Sequence, residues 1–426
     1  MASKRAAPAD ELRVVILNQY YVPDVASTGQ LLSELADYLV REGAQVSVVA
    51  TQPSYGPPET RQRCPRFTVE NGIRVTRLWS TRFSKDRFVG RTVNSLTFLV
   101  QLMLRLLFRG RHGEVFLYTT NPPYLGVIGG IISLFRKHPY VVLLHDSYPQ
   151  LTVLVGMIKA GGLIDRIWHR CNRFMYSRAE QSIVLCKAAK ELVCETYRID
   201  TERVHIVHNW ADPEEIRPKP KHGNDFAEEH GLVEPFTVLY SGNLGLYYEF
   251  ETILRAAELL KDENFRLVFI GAGGRRDWIV EQVKTRNLAN TLLLPYQPFE
   301  RLPDSLTACD ASLVTIQEGV EGISYPSKLY ASLAVGRPVL AISEPGSELY
   351  DQVVGNDVGY WFELGDAEGL ADRIRTMMRD PGECDRMGRR ARSLFEREYT
   401  RDASAAKYDV VLRRARGAGE QKVERK

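Results

Sequence analysis

Residues 13–50 read RVVILNQYYVPDVASTGQLLSELADYLVREGAQVSVVA. A short apolar run, RVVILN (13–18), meets a loop and then GQLLSELADYLVREG (29–43). In that second segment Leu31, Leu32, Leu35, Ala36 and Leu39 share one helical face, and Gly43 is suited to end the helix. AQVSVVA (44–50) is a second apolar run. The order predicts strand, helix, strand. Strands that are apolar throughout, not alternating, are buried on both faces, which implies a parallel sheet covered by helices.

Working outward, the plan repeats. EVFLYT (114–119), YVVLLH (140–145), QSIVLC (181–186) and RVHIVH (203–208) are further strands of a first sheet. HNWADPEEIRPKPKHGNDF (208–226) is polar and proline-rich and reads as a linker. Beyond it come FTVLYSGNLG (236–245), FRLVFIGAGG (265–274), NTLLLPYQP (290–298), DASLVT (310–315) and RPVLAI (337–342), with helices expected at 250–261 and 326–335. The predicted class is α/β, with two doubly wound domains at 10–208 and 209–394, and residues 415–426 are expected to be disordered.

Composition narrows the function. The 426 residues are 44% apolar, enough for a sizeable core, and their net charge of +3 is too small to suggest nucleic acid as a partner. None of the six cysteines lies in a CxxC pair, which argues against zinc and disulfides and for a reducing, cytoplasmic compartment. MASKRAAPADELR lacks the apolar core of a secretory signal, and no apolar run approaches the roughly 20 residues of a spanning helix.

In doubly wound sheets ligands bind beyond the carboxyl ends of the strands. Three glycine-bearing loops follow strands of the second domain. YSGNLG places Gly242 and Gly245 where backbone can approach a phosphate, or simply where a tight turn is needed. IGAGGRRDW has Arg276 where a dinucleotide fingerprint would end in glycine, so that reading is weak. EGISYPSKLYASLAVGRPV puts Pro326 and Ser327 at a helix start and Lys328 in its first turn. A cation there faces the positive end of the helix dipole, and a bound anion would resolve the conflict through a charge-assisted hydrogen bond.

In the first domain Ser27, Thr28 and Gly29 form a capping signature that also presents amides. His145 ends an apolar strand and reads as structural or catalytic. Residues 82–111 combine LTFLVQLMLRLLF (96–108) with Arg87, Arg91, Arg105 and Arg109. They suit either a buried helix with basic ends or an interfacial helix on anionic lipid.

These segments together resemble the GT-B glycosyltransferases, specifically the retaining family-4 group of colanic-acid, O-antigen and exopolysaccharide assembly. The resemblance rests on the 18–51 region, LLHDSYPQ, IVHNWAD, YSGNLG, FIGAGG and YPSKLYASLAVGRPVLA, in that order. It implies two Rossmann-like domains facing a central cleft, with a C-terminal helix (about 395–414) packing back on the first. It implies a nucleotide-sugar donor, UDP-linked, whose diphosphate meets Ser327, Lys328 and Leu329, with Gly242 and Asn243 opposite. Tyr296 and Gln297 would lie by the base, and Glu321, Gly322 and Ile323 by the sugar hydroxyls. Thr28 and Gly29 would approach the diphosphate, and His145 the transferred sugar. His145, Lys328 and Glu321 are the expected catalytic set. The resemblance further implies no cofactor or metal, a lipid-linked glycan acceptor, and a peripheral position on the inner face of the cytoplasmic membrane. Ile323 and Ala331 stand where the family often has two glutamates, and Asn243 and about Tyr248 where it often has Arg and Lys. Lys328 is thus left as the evident cation. A UDP-sugar 2-epimerase of the same shape and a catalytically degenerate nucleotide-sugar-binding subunit are the rival readings.

Overall fold

The computed structural model describes residues 11–24, 26–54, 62–81, 83, 88–109, 113–136 and 138–424. It divides into two units, 1–208 with 405–426, and 209–404.

The first unit is built on β1 (Arg13–Leu17), β2 (Gln45–Thr51), β3 (Phe67–Glu70), β4 (Ile73–Leu78), β5 (Val115–Thr119), β6 (Tyr140–Leu144), β7 (Gln181–Val184) and β8 (Val204–Ile206). Their spatial order is β3-β4-β2-β1-β5-β6-β7-β8, and every pairing is parallel except β3 with β4. The helices are α1 (Ser27–Arg41), α2 (Phe88–Arg109), α3 (Leu125–Phe135), α4 (Gln150–Leu154), α5 (Leu163–Arg178) and α6 (Lys187–Tyr197). β5 and β6 are buried at every position, as their unbroken apolar runs require. α1 buries Leu32, Leu35, Ala36 and Leu39, each leucine stabilising by roughly 1.5–3 kcal/mol relative to exposure.

The second unit carries β9 (Phe236–Ser241), β10 (Phe265–Ile270), β11 (Thr291–Leu294), β12 (Ala311–Thr315), β13 (Val339–Ile342) and β14 (Gly359–Phe362), in the order β11-β10-β9-β12-β13-β14, all parallel. Its helices are α7 (Asp225–Glu229), α8 (Glu251–Leu259), α9 (Arg276–Thr285), α10 (Leu302–Thr307), α11 (Lys328–Ala334), α12 (Glu348–Val354), α13 (Ala367–Arg379) and α14 (Pro381–Glu398). The last helix, α15 (Arg401–Glu424), starts in this unit, and its residues from 405 onward cluster with the first.

Four expectations need correction. The β3–β4 hairpin was not foreseen, although its turn is Asn71-Gly72, both at positive φ, the pair that a tight hairpin favours. The stretch 208–226 is fastened to the second unit: buried Lys221 donates to the Asp310 carboxylate (2.5 Å) and the Pro235 carbonyl (2.7 Å). Asn224 caps α7 by accepting from the amides of Phe226 and Ala227. Residues 415–424 are helical, because α15 continues to Glu424. Finally, α11 begins at Lys328 and not at Pro326, and Ser327 makes no side-chain cap.

Candidate functional site

In a doubly wound sheet the ligand crevice opens where strand order reverses. In the second unit that point lies between β9 and β12. The loop after β9 carries Gly242 and Asn243, and the connection after β12 leads to Lys328. Lys328 Nζ donates to the Tyr240 hydroxyl at 2.9 Å. It also lies 3.8 Å from the ring centroid of Tyr248 and 4.5 Å from that of Tyr240. Burial lowers the lysine pKa to about 7. Burial also raises the Tyr240 pKa well above its usual 10, so the phenol is a neutral neighbour and not a counter-ion. No carboxylate pairs with Lys328 among the described residues. A desolvated ammonium held only by aromatic faces and one hydroxyl is suited to meet an incoming anion.

The glycines around it hold the loops close. Gly242 has φ +133°, and a Cβ there would stand 3.3 Å from Lys328 Cε. Gly271 has φ +145°, and its Cβ would come within 1.9 Å of the Gly242 carbonyl oxygen. So the loop after β10 is pressed onto the loop after β9, where the Leu244 amide donates to the Ala272 carbonyl at 2.9 Å. Tyr296 is exposed beside Gly271, with its hydroxyl 3.5 Å from the Ala272 carbonyl. The Gln297 side-chain amide donates to the Pro295 carbonyl at 2.9 Å.

The turn before α11 is only partly available. The amides of Leu329 and Tyr330 already donate to the carbonyls of Pro326 and Ser327. Of the three residues expected on the diphosphate, Leu329 is the one whose side chain lies in the core, fully buried. Gly322 turns the preceding loop at φ +80°, with the Ile323 amide bonded to the Val320 carbonyl. Glu321 accepts the Glu348 amide at 2.5 Å, at the start of α12. Burial, with Glu348, Glu344 and Asp351 nearby, pushes the Glu321 pKa up to about 7 despite that bond.

In the first unit the switch point lies between β1 and β5. α1 is capped by Ala26 without a side-chain bond, so the expected Ser/Thr capping does not form. Thr28 Oγ1 instead lies 3.5 Å from Asn121 Nδ2, in the loop after β5. Gly29 packs against the backbone of Tyr20 and Tyr21, where a Cβ would stand 3.1 Å from the Tyr20 carbonyl oxygen. His145 donates its backbone amide to Thr120 Oγ1 at 3.2 Å. Its Nε2 is buried and has no hydrogen-bond partner among the described residues. Burial lowers the His145 pKa to about 4, so the ring is neutral at pH 7.

The basic apolar stretch is one long helix, α2, buried on one face through Phe98, Leu99, Leu102 and Leu106 and open on another. Leu96, Val100, Leu104 and Phe108 recur every four residues along it and are exposed. Arg91 is exposed too, and Arg105 reaches Thr76 Oγ1 at 3.4 Å. Arg87 and the side chain of Arg109 lie outside the described residues. Residue-by-residue reading missed Tyr240 as a partner of Lys328. Its only signal was an aromatic at the end of a buried strand.

Comparison with known proteins agrees with the fold. Residues 28–210 match the family described as "Glycosyl transferase 4-like domain", and residues 224–394 match "Glycosyl transferases group 1". The chain is 25% identical over 406 residues to a probable glycosyltransferase, WbjE, of Pseudomonas aeruginosa, covering 94% of this chain and 98% of that one. It is 21% identical over 348 residues to a putative colanic acid biosynthesis glycosyl transferase, WcaI, of Escherichia coli, covering 79% and 85%. Among solved structures it is similar to sucrose-phosphate synthase of Thermosynechococcus elongatus, with TM-score 0.74, 17% identity, and 96% and 100% of the two chains covered. It is also similar to HepE of Anabaena in complex with UDP-glucose, with TM-score 0.68, 16% identity, and 94% and 99% covered. Two family matches spanning most of the chain, on a pair of doubly wound units, place it among the group 1 glycosyltransferases of GT-B fold.

Proposed function

We propose that the protein transfers a sugar, with retention, from a UDP-sugar to a lipid-linked glycan during bacterial cell-surface polysaccharide synthesis. The observation that carries this reading is Lys328, a desolvated cation without a carboxylate partner among the described residues, enclosed by Tyr240, Tyr248 and Gly242 at the strand switch point. Polysaccharide synthesis and the UDP donor are supported by the names of WcaI and of the HepE complex.

The reaction breaks the bond between the anomeric carbon and the diphosphate oxygen. It forms a bond from the same carbon to the acceptor oxygen on the same face. The acceptor proton passes to the departing phosphate oxygen, and UDP leaves. Lys328 would stabilise the negative charge growing on the diphosphate, a contribution that is larger in a desolvated setting than in water. His145, neutral, would hydrogen-bond a hydroxyl of the transferred sugar through Nε2. With its pKa near 4 it is a poor proton acceptor, so the leaving group suits the role of base. Glu321 and the backbone of Gly322 and Ile323 would bind the sugar, Tyr296 and Gln297 the base, and Thr28 and Gly29 the diphosphate. Transfer is proposed to need no metal. The exposed row of α2, with Arg91 and Arg105, would attract the anionic lipid around the acceptor.

Calorimetric titration with UDP, GDP and dTDP, with and without EDTA, tests the donor. Selective UDP binding that survives EDTA is expected; binding of none by a folded sample would sink the transferase reading. An epimerase would instead convert UDP-sugar without an acceptor, which product analysis by NMR separates.

A further inference from the structure

The connection from β6 to α5 holds a surface that sequence reading did not single out. α4 starts at Gln150, six residues past the end of β6 and just beyond His145, so the connection lies at the ligand end of the sheet. Within residues 154–167 it exposes Leu154, Met157, Leu163, Ile164 and Ile167, the last three at 74%, 60% and 53%. Around them Lys159, Arg166, Arg170 and Arg173 are all exposed. Asp165 is the one acid in residues 154–173, and it is buried.

The surface is held rigid. The Asp165 carboxylate accepts the Gly161 amide at 2.8 Å, and Arg166 Nε donates to the Gly161 carbonyl at 2.7 Å. Trp168 stacks against Tyr124 at 4.4 Å and Tyr148 at 5.7 Å between centroids. α5 is thereby tied to the loops after β5 and β6, the second of which carries His145. Apolar side chains locked outward, ringed by cations with no exposed acid, are complementary to a membrane interface of anionic lipid.

We infer that the segment Leu154–Arg173 is a membrane-docking surface that seats the His145 end of the first unit on an anionic bilayer. Its use in catalysis rests on the lipid-linked acceptor proposed above, but docking itself is measured without substrate. The occupant is the lipid surface, chosen because the whole exposed charge of the segment is positive. This surface adds to the row on α2 and differs from it in position: α2 enters the sheet before β5, whereas this segment follows β6 at its carboxyl end.

The test is co-sedimentation of the full chain with vesicles of phosphatidylcholine alone or with phosphatidylglycerol added, for wild type, L163S/I167S, R170Q/R173Q and, on α2, V100S/L104S. All six positions are exposed, so melting temperatures should stay within a few degrees. Wild type should bind the anionic vesicles and release with salt. L163S/I167S should bind at least about tenfold more weakly, and R170Q/R173Q several-fold more weakly. UDP titration should be unchanged in both, so a failed donor reading shows separately. The inference is overturned if wild type ignores anionic vesicles, if L163S/I167S binds like wild type, or if only V100S/L104S loses binding. A wild-type dimer that L163S/I167S dissociates would overturn it as well, by making a second copy the occupant.

Discussion

Lys328 Nζ lies 2.9 Å from the hydroxyl of Tyr240, which in turn donates to the Asn243 carbonyl at 2.8 Å. The two residues come from opposite sides of the strand switch point, β9 and the helix after β12. Tyr248 puts its ring 3.8 Å from the same ammonium. The cation is thus set against two aromatic rings.

The first consequence is a split between activity and stability. Lys328→Met should reduce turnover about 10²- to 10³-fold, the usual loss on removing one charge-stabilising donor. Yet the free protein should not suffer. The folded lysine pKa is about 7, below the roughly 10.4 of an unfolded lysine. Below pH 7 both states are protonated and the folded one bears the full cost of desolvation. That cost fades as pH rises from about 7 toward 10.4. At pH 6 without nucleotide, Lys328→Met should therefore melt at or above wild type in calorimetry. A large loss of stability would show that Lys328 is a structural cation.

Donor binding should take up protons. A bound diphosphate favours the charged lysine and raises its pKa from about 7. Titrating UDP at pH 8 in buffers of different ionisation enthalpy should reveal uptake of a fraction of a proton, and affinity should weaken as pH rises above 7. In Lys328→Met the buffer dependence should vanish.

Gly271→Ala should be costly. Its Cβ would meet the Gly242 carbonyl oxygen at 1.9 Å, with φ at +145°, and both neighbours are backbone that cannot swing aside. We expect about 2–3 kcal/mol of lost stability in urea unfolding, with weaker UDP binding in the folded fraction. Gly274→Ala is the control, because its Cβ would meet only the flexible Leu246 side chain, at 3.2 Å.

His145 should leave no trace near pH 6.5 in the rate profile. With its pKa near 4 it stays neutral from pH 5 upward. His145→Ala should lower turnover about 10²-fold without adding or removing an acidic limb between pH 6 and 8. Stability has the opposite exposure to pH. As pH falls from about 6.5 toward 4, the unfolded imidazole gains a proton that the folded one refuses, so wild type loses stability there; His138, also held near 4, does the same, and His145→Gln should lose less than wild type. Thermal melts across that range check the sign.

The sequence by itself determined the two sheets. Apolar runs such as those of β5 and β6 can be buried only between helix layers, and each sits where its pattern placed it. It also marked Gly242, Gly271 and Lys328, because strand-end glycines and a first-turn lysine are local signals. Other features were not local. Tyr240 looked like any strand aromatic until folding put it 88 residues away in sequence and 2.9 Å away in space from Lys328. Lys221 read as a linker cation until Asp310 was brought to it. Leu163, Ile164 and Ile167 would have passed for core, since hydropathy records what a residue prefers and not which face of α5 is covered. Which preferences go unmet is settled by packing across the whole sheet, and only the tertiary structure decides that.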